Sequence, residues 1–414
     1  MKKRKLLYHY LWIIVLFSFF IICGMCLQPA DEILKGLYLI ITDPSILVSD
    51  YLAIGGIGAT FINAGLLGII CTALVMKLDM KPNGSIFMAL FLVFGFAFFG
   101  KNLLNIWPIV IGSYMYSRKK GQPFRNYIII ALMSTSLAPA VNQIFLIIEG
   151  PTIPALVLST VAGVGLGFVM PPISSHCVRM HEGFILTNAG FASGFVAILF
   201  VSMFRAFGVN LEGRDIWSTN YTNELAVAMI FVFVCMIFVG FVKKDESART
   251  LLELNEETGR LVTDFFILYG KHLPLINMGI LGIVYTIFTL MWAGTLNGPF
   301  VAGIFTIAGF AGFGLNIRNV MPITIGAVLG SMLNIWPHDS NTLMVIILFG
   351  TALAPFAGYY GMVWGIIAGF IHMCITLNLS GISAGINLYN NGFIAGIVVI
   401  CLLPVASSLR DDYY

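Results

Sequence analysis

The sequence predicts an all-α integral membrane protein made of two inverted repeats of about seven transmembrane segments each, with broken or re-entrant helices among them. Three observations predict it. Of 414 residues 59% are hydrophobic and 10% charged, with a mean hydropathy of +0.94, whereas soluble domains carry about 25% charged residues. Apolar runs recur along the chain, many of them long enough for a hydrocarbon core of about 30 Å, which takes roughly 20 helical residues. Short motifs rich in Asn, Pro and Gly return in the same order in both halves.

The first run, LWIIVLFSFFIICGMCL (11–27), lacks the period-two alternation of an outer-membrane strand, so it reads as a helix. It follows MKKRK but is long and has no evident small-residue cleavage site, which makes it an uncleaved first span. Further crossings are expected at 50–76, 85–100, 105–117, 126–148, 152–172, 184–206, 224–242, 274–296, 299–314, 318–336, 342–358, 360–378 and 386–405, fourteen in all and seven per half. The chain then divides into a first membrane repeat (1–210), an outer loop with the first span of the second repeat (211–242), a cytoplasmic linker helix (243–272) and the remainder of the second repeat (273–414). The linker opens KKDESARTLLELNEETGR (243–260) and reads as a solvated connector.

With the N-terminus inside, eighteen Lys and Arg residues fall on the cytoplasmic side. Only Lys35, Lys101, Arg205 and Arg214 fall outside, a strong positive-inside bias. Both termini are therefore expected in the cytoplasm and the chain in the inner (plasma) membrane. The seven cysteines lie mostly in apolar runs, and the one CxxC, Cys23 and Cys26, sits inside a span. Neither a disulfide framework nor a zinc site is expected, and no cofactor or metal.

Residues 100–112 (GKNLLNIWPIVIG) and 314–326 (GLNIRNVMPITIG) agree at seven of thirteen positions, and 183–194 (GFILTNAGFASG) and 385–396 (GINLYNNGFIAG) at six of twelve. TSLAP (135–139) and TALAP (351–355) fall between them. An internal duplication explains this order, and an odd number of crossings per half turns the second copy upside down, the plan of many secondary transporters with a site near the midplane.

The candidate solute-binding residues come from these repeats. Asn102 and Asn105, like Asn316 and Asn319, precede a proline in an Asn-x-x-Asn-x-x-Pro pattern that starts helices. A helix start inside the membrane offers free N–H groups to an anion or carbonyl, and Lys101 and Arg318 flank the two copies with positive charge. Asn63, Asn188, Asn297 and Asn390 recur before small residues, one in each quarter. An amide grips a neutral solute without the cost of a buried charge, although it serves equally to hold helices together. Phe191 and Phe393 follow at matching places and are read as lining a path or packing it. The one-sided cluster His176, Arg179, His181 and Glu182 reads as a solvated loop before a coupling site.

At GINLYNNGFIAG (385–396), and more loosely at INAGLLG (62–68) and LNGPFVAG (296–303), the chain resembles urea transporters, which repeat an Asn-Pro motif and a Gly-Tyr-Asn motif in inverted halves. Tyr389 and Asn390 match the Tyr-Asn pair, while Asn188 follows Thr187. As a whole the chain looks most like an uncharacterised family of bacterial membrane proteins with no assigned function, a resemblance that implies no site residues.

The function expected is therefore a transporter or channel for a small polar or anionic solute. The alternatives are a membrane-embedded enzyme such as a lipid or glycan transferase, and a non-transporting assembly component. No catalytic constellation and no nucleotide-binding loop stands out, so the chain is not read as an enzyme. Its expected partners are the solute and the lipid bilayer, with no nucleic acid; a homo-oligomer is admitted but not required.

Overall fold

The computed structural model describes residues 2–147, 152–242, 249–333 and 340–410. The start of the charged connector (243–248), Glu149 and the 334–336 end of one expected crossing lie outside them. Among the described residues every regular element is helical, and strand-like pairing is confined to an isolated bridge between Ser49 and Ile216.

The first half contains α1 (Lys2–Leu27), α2 (Ala30–Thr42), α3 (Tyr51–Lys77), α4 (Gly84–Phe96), α5 (Trp107–Lys119), α6 (Ile128–Ser134), α7 (Ala138–Ile147), α8 (Ile153–His181) and α9 (Asn188–Ala206). The second contains α10 (Thr222–Val242), α11 (Leu251–Glu256), α12 (Phe265–Leu268), α13 (His272–Ala293), α14 (Gly298–Ala311), α15 (Ile317–Met332), α16 (Ser340–Gly350), α17 (Ala354–Tyr360), α18 (Met362–Leu379) and α19 (Asn390–Ser408). Single 3₁₀ turns, Thr135–Leu137 and Thr351–Leu353, interrupt the α6–α7 and α16–α17 rods near their middles.

Among the described residues ten helical stretches are long and apolar enough to cross a membrane, and the protein is a multi-pass membrane protein. The other four expected crossings are short: α4, α5, α14 and α15 have 13, 13, 14 and 16 residues. At 1.5 Å per residue they reach only about 20–24 Å, less than the apolar core. Shortness is foreseen for α5 but not for α4 or α14. There the apolar run continues past the helix end, through the buried Phe98 and Phe99 or the partly buried Phe313, and these turn residues lengthen it without adding helix.

Two further expectations are corrected. The loop after α1 holds an extra helix, α2, which buries Ile33, Gly36 and Ile40. The connector is not one solvated helix: among its described residues α11 is only a turn and a half, capped by Thr250, whose side chain accepts from the Glu253 N–H, and the chain turns away at Gly259 with φ of 77°. It docks, with Leu254 buried and the Leu254 and Glu257 carbonyls receiving the Asn316 amide at 3.1 and 2.9 Å.

α4 and α14 form the centre of the bundle. Each starts at an asparagine, Asn83 or Asn297, whose side-chain oxygen accepts the N–H of the third residue on, Ile86 or Phe300. All of α14 and all of α4 except Ser85 is buried. The two run antiparallel at full overlap: a Cβ on Gly84 would lie 2.2 Å from the Gly312 carbonyl, and one on Gly298 2.7 Å from that of Phe98. Only glycine allows so close an approach of backbones.

Matched polar contacts fix both ends of this pair. Asp50 accepts the Gly298 N–H at 3.1 Å, as Asp264, 214 positions later, accepts that of Gly84 at 2.9 Å. Burial raises the Asp264 carboxyl pKa above its ordinary value, against the backbone N–H groups it accepts, which lower it. Asn63 donates to the carbonyls of Ala97 and Lys101 at 2.8 and 3.0 Å, and Asn277 to those of Ala311 and Leu315 at 2.8 and 2.9 Å.

Candidate functional site

Two non-helical stretches sit deep in the bundle. Glu182 and Gly183 have φ of 49° and 81°, and Ala384 and Gly385 have φ of 46° and 75°, left-handed pairs that stop the preceding helix and turn the chain back. Residues 183–187 and 385–389 then run buried and outside any helix until α9 and α19 begin. The Leu186 N–H donates to the Ala352 carbonyl and the Leu388 N–H to that of Ser136, both at 3.0 Å. Those acceptors lie in the 3₁₀ turns at the middles of two membrane-length rods, so both stretches lie at membrane depth. Irregular backbone at such depth persists only where protein buries it or where it lines a cavity.

The second stretch does line one. A cavity of about 420 Å³ is walled by Phe99, Phe349, Gly385, Leu388, Asn390 and Asn391, and reaches Pro299 in the first turn of α14 and Arg214. Among the described residues Asn391 Oδ1 has no partner, nor has Nδ2 of Asn387. The other Asn387 atom, Oδ1, accepts Ser193 Oγ at 2.9 Å and the Tyr389 N–H at 3.1 Å, joining α9 to the second stretch. His372 Nε2 reaches the Asn391 carbonyl at 3.2 Å.

Behind the cavity wall lies Lys101, fully buried. Its Nζ donates to Tyr389 Oη at 2.6 Å and sits 4.7 Å from the centroid of the Tyr389 ring and 5.2 Å from that of Phe96. The Phe96 ring is in turn 5.2 Å from Phe349. The Phe96 and Phe349 rings thus stand between the Lys101 side chain and the cavity.

The matching place at the other end is filled. The Leu261 N–H donates to the Gly183 carbonyl at 3.0 Å, as Leu47 does to Gly385 at 2.9 Å. Arg260 covers the first stretch: its guanidinium lies 4.1 Å from the Phe184 ring and 5.4 Å from Tyr359. It also donates to the Glu182 carbonyl at 3.0 Å and pairs with the Glu182 carboxylate at 3.4 Å. Beside the cavity the equivalent position is Ile46, which has no such plug to offer.

The structure brings some of the expected site residues together and disperses the rest. Asn390 lines the cavity. Asn297 caps α14 beside it, and its Nδ2 has no partner among the described residues. Phe191 and Phe393 are buried where α9 crosses α19. Asn102 with Asn105, and Asn316 with Asn319, exchange side-chain and backbone bonds at 2.9–3.0 Å; the second pair caps α15, whereas the first, expected to start a helix, closes a turn ahead of α5, which begins after Ile106 with no side-chain cap. Asn188 bonds His181 at 3.0 Å and the Ser174 carbonyl at 3.1 Å at the plugged end. Arg318 is exposed. Sequence reasoning missed Asn387, Asn391 and Ser193, because their duplicate positions carry Ile185, Ala189 and Ala395; Asn391 adjoins a repeated asparagine, which is the one signal it gives.

A family model described as Protein of unknown function (DUF1576) matches residues 29–206 and 243–408. No curated protein and no solved structure matches the chain.

Proposed function

Since the chain belongs to this family, whose description assigns no activity, we propose from its residues that it is a transporter or channel carrying a small polar or anionic solute between two inverted repeats. The observation that carries the reading is the cavity that ends on buried, non-helical backbone at 385–389, where Asn390 and Asn391 meet it. A membrane protein that breaks two helices at depth leaves polar groups to be satisfied by something other than lipid.

Inverted duplication is supported by the matched contacts. Asp50 and Asp264, and Asn63 and Asn277, make the same interactions at opposite ends of the α4–α14 pair, and the Leu186 and Leu388 bonds are one contact made once from each half. α3 runs from the Asp50 end to the end where Asp264 holds α4, so each copy is turned over relative to the other. In this reading the excess of Lys and Arg places both termini in the cytoplasm and the protein in an inner or plasma membrane. No residue is assigned a catalytic role.

The test is uptake. The purified full chain in liposomes is given radiolabelled urea, acetamide, uracil, acetate and lactate, with and without an imposed ion gradient. Uptake above protein-free liposomes that falls in Asn391→Ala supports the reading. No uptake of any of them by folded protein removes it.

A further inference from the structure

Lys101 is a fully buried lysine that the fold does not require. Its turn, Ala97–Lys101, is clamped by Asn63 through two carbonyls, and the duplicate turn is clamped by Asn277 in the same way with Leu315 in place of the lysine. The backbone geometry is therefore indifferent to the charge. Burying an ammonium is expensive unless it is paired, yet no Asp or Glu pairs with it among the described residues. Its neighbours are the Tyr389 hydroxyl, two aromatic faces and the buried Cys71 thiol. Tyr389 takes one N–H of the Lys101 side chain, and a lysine in either protonation state has more to give.

We infer that the transported solute is a small monoanion whose charge is met by Lys101 Nζ, with the Tyr389 hydroxyl beside it. This inference rests on the transport reading above. The solute enters by the cavity and reaches Lys101 Nζ when the lining side chains Phe99, Phe349 and Leu388, with Phe96 behind them, give way. Tyr389 belongs to the non-helical stretch of one half and Lys101 to the turn after α4 in the other, so an anion that replaces their bond loosens the contact between the halves. The duplicate site, with Leu315 and Thr187, lacks both groups and binds no anion. A single counter-charge fits one negative charge.

The experiment compares wild type, Lys101→Leu and Lys101→Arg in liposomes, with radiolabelled acetate and lactate as anions and urea as a neutral solute. Thermal unfolding of each variant reports folding. The Lys101→Leu variant carries the residue its own duplicate uses, so it is expected to fold and to melt no lower than wild type. Its anion uptake falls by about tenfold or more, the scale of one hydrogen bond to a charged group, and Lys101→Arg keeps part of it. Anion uptake by Lys101→Leu within about twofold of wild type, less than one such bond is worth, overturns the inference. Urea carried by wild type without either anion also overturns it and leaves the transport reading standing. If folded wild type carries nothing, the transport reading itself fails.

Discussion

Phe191 and Phe393 face each other at the crossing of α9 and α19, ring centroids 6.1 Å apart and planes inclined by 22°, and each lies on a glycine of the other's helix. A Cβ on Gly194 would stand 2.2 Å from Phe393 Cδ2, and one on Gly396 2.1 Å from Phe191 Cδ2. Gly194→Ala and Gly396→Ala should each lower stability by about 1–3 kcal/mol, the usual penalty of overpacking. Removing the opposing ring, as in Gly396→Ala with Phe191→Leu, should restore part of it. Thermal unfolding in detergent checks both; additive losses in the double variant would mean the two side chains do not meet.

Asp50 and Asp264 each hold the first N–H of a central helix from the other half. Truncation leaves buried donors without acceptors, so Asp50→Ala and Asp264→Ala should each cost about 1–3 kcal/mol. The two sites sit at opposite ends of α4 and α14 and share no partner. Their effects should therefore add within about 0.5 kcal/mol. A double variant much less stable than that sum would show that the central pair comes apart as one unit.

The asparagines fall into two physical classes. Asn63 and Asn277 bond two carbonyls each, and Asn63→Ala or Asn277→Ala should destabilise by about 1–3 kcal/mol. Asn391 Oδ1 bonds nothing among the described residues, so Asn391→Ala should leave the melting temperature within error while lowering solute uptake. If Asn391→Ala unfolds the protein as readily as Asn63→Ala does, its role is structural.

This division was only partly legible in the sequence. Composition and run length define the class, and the Asn-Pro-Gly motifs mark the places where helices start, which is where the structure puts Asn316 and Asn319. Helix ends inside an apolar run leave no mark, because Phe98 in a buried turn has the same hydropathy as Phe94 in α4. Residues that matter in one half only, such as Lys101 opposite Leu315, are visible as departures from the repeat. Their neighbours are not: Tyr389 stands 288 positions from Lys101, and no local pattern ties the two.

The Arg260 plug gives a last expectation, about which end of the path is open. Asn391 borders the cavity, while Asn188 lies at the end covered by Arg260, Phe184 and Tyr359. In a background without the seven native cysteines, the Asn391→Cys variant should react quickly with a hydrophilic maleimide and the Asn188→Cys variant slowly. Arg260→Ala removes the stacked guanidinium and its bonds to Glu182, so it should speed labelling at position 188 and leave position 391 unchanged. Arg260 and Glu182 are partly exposed, and an exposed pair contributes little, about 0–1 kcal/mol. The plug must then act through the guanidinium's contact with the rings, and Arg260→Lys, which keeps the charge but loses the flat face, should label nearly as fast as Arg260→Ala. Equal labelling of positions 391 and 188 in the unaltered background would show that the two ends are equally open.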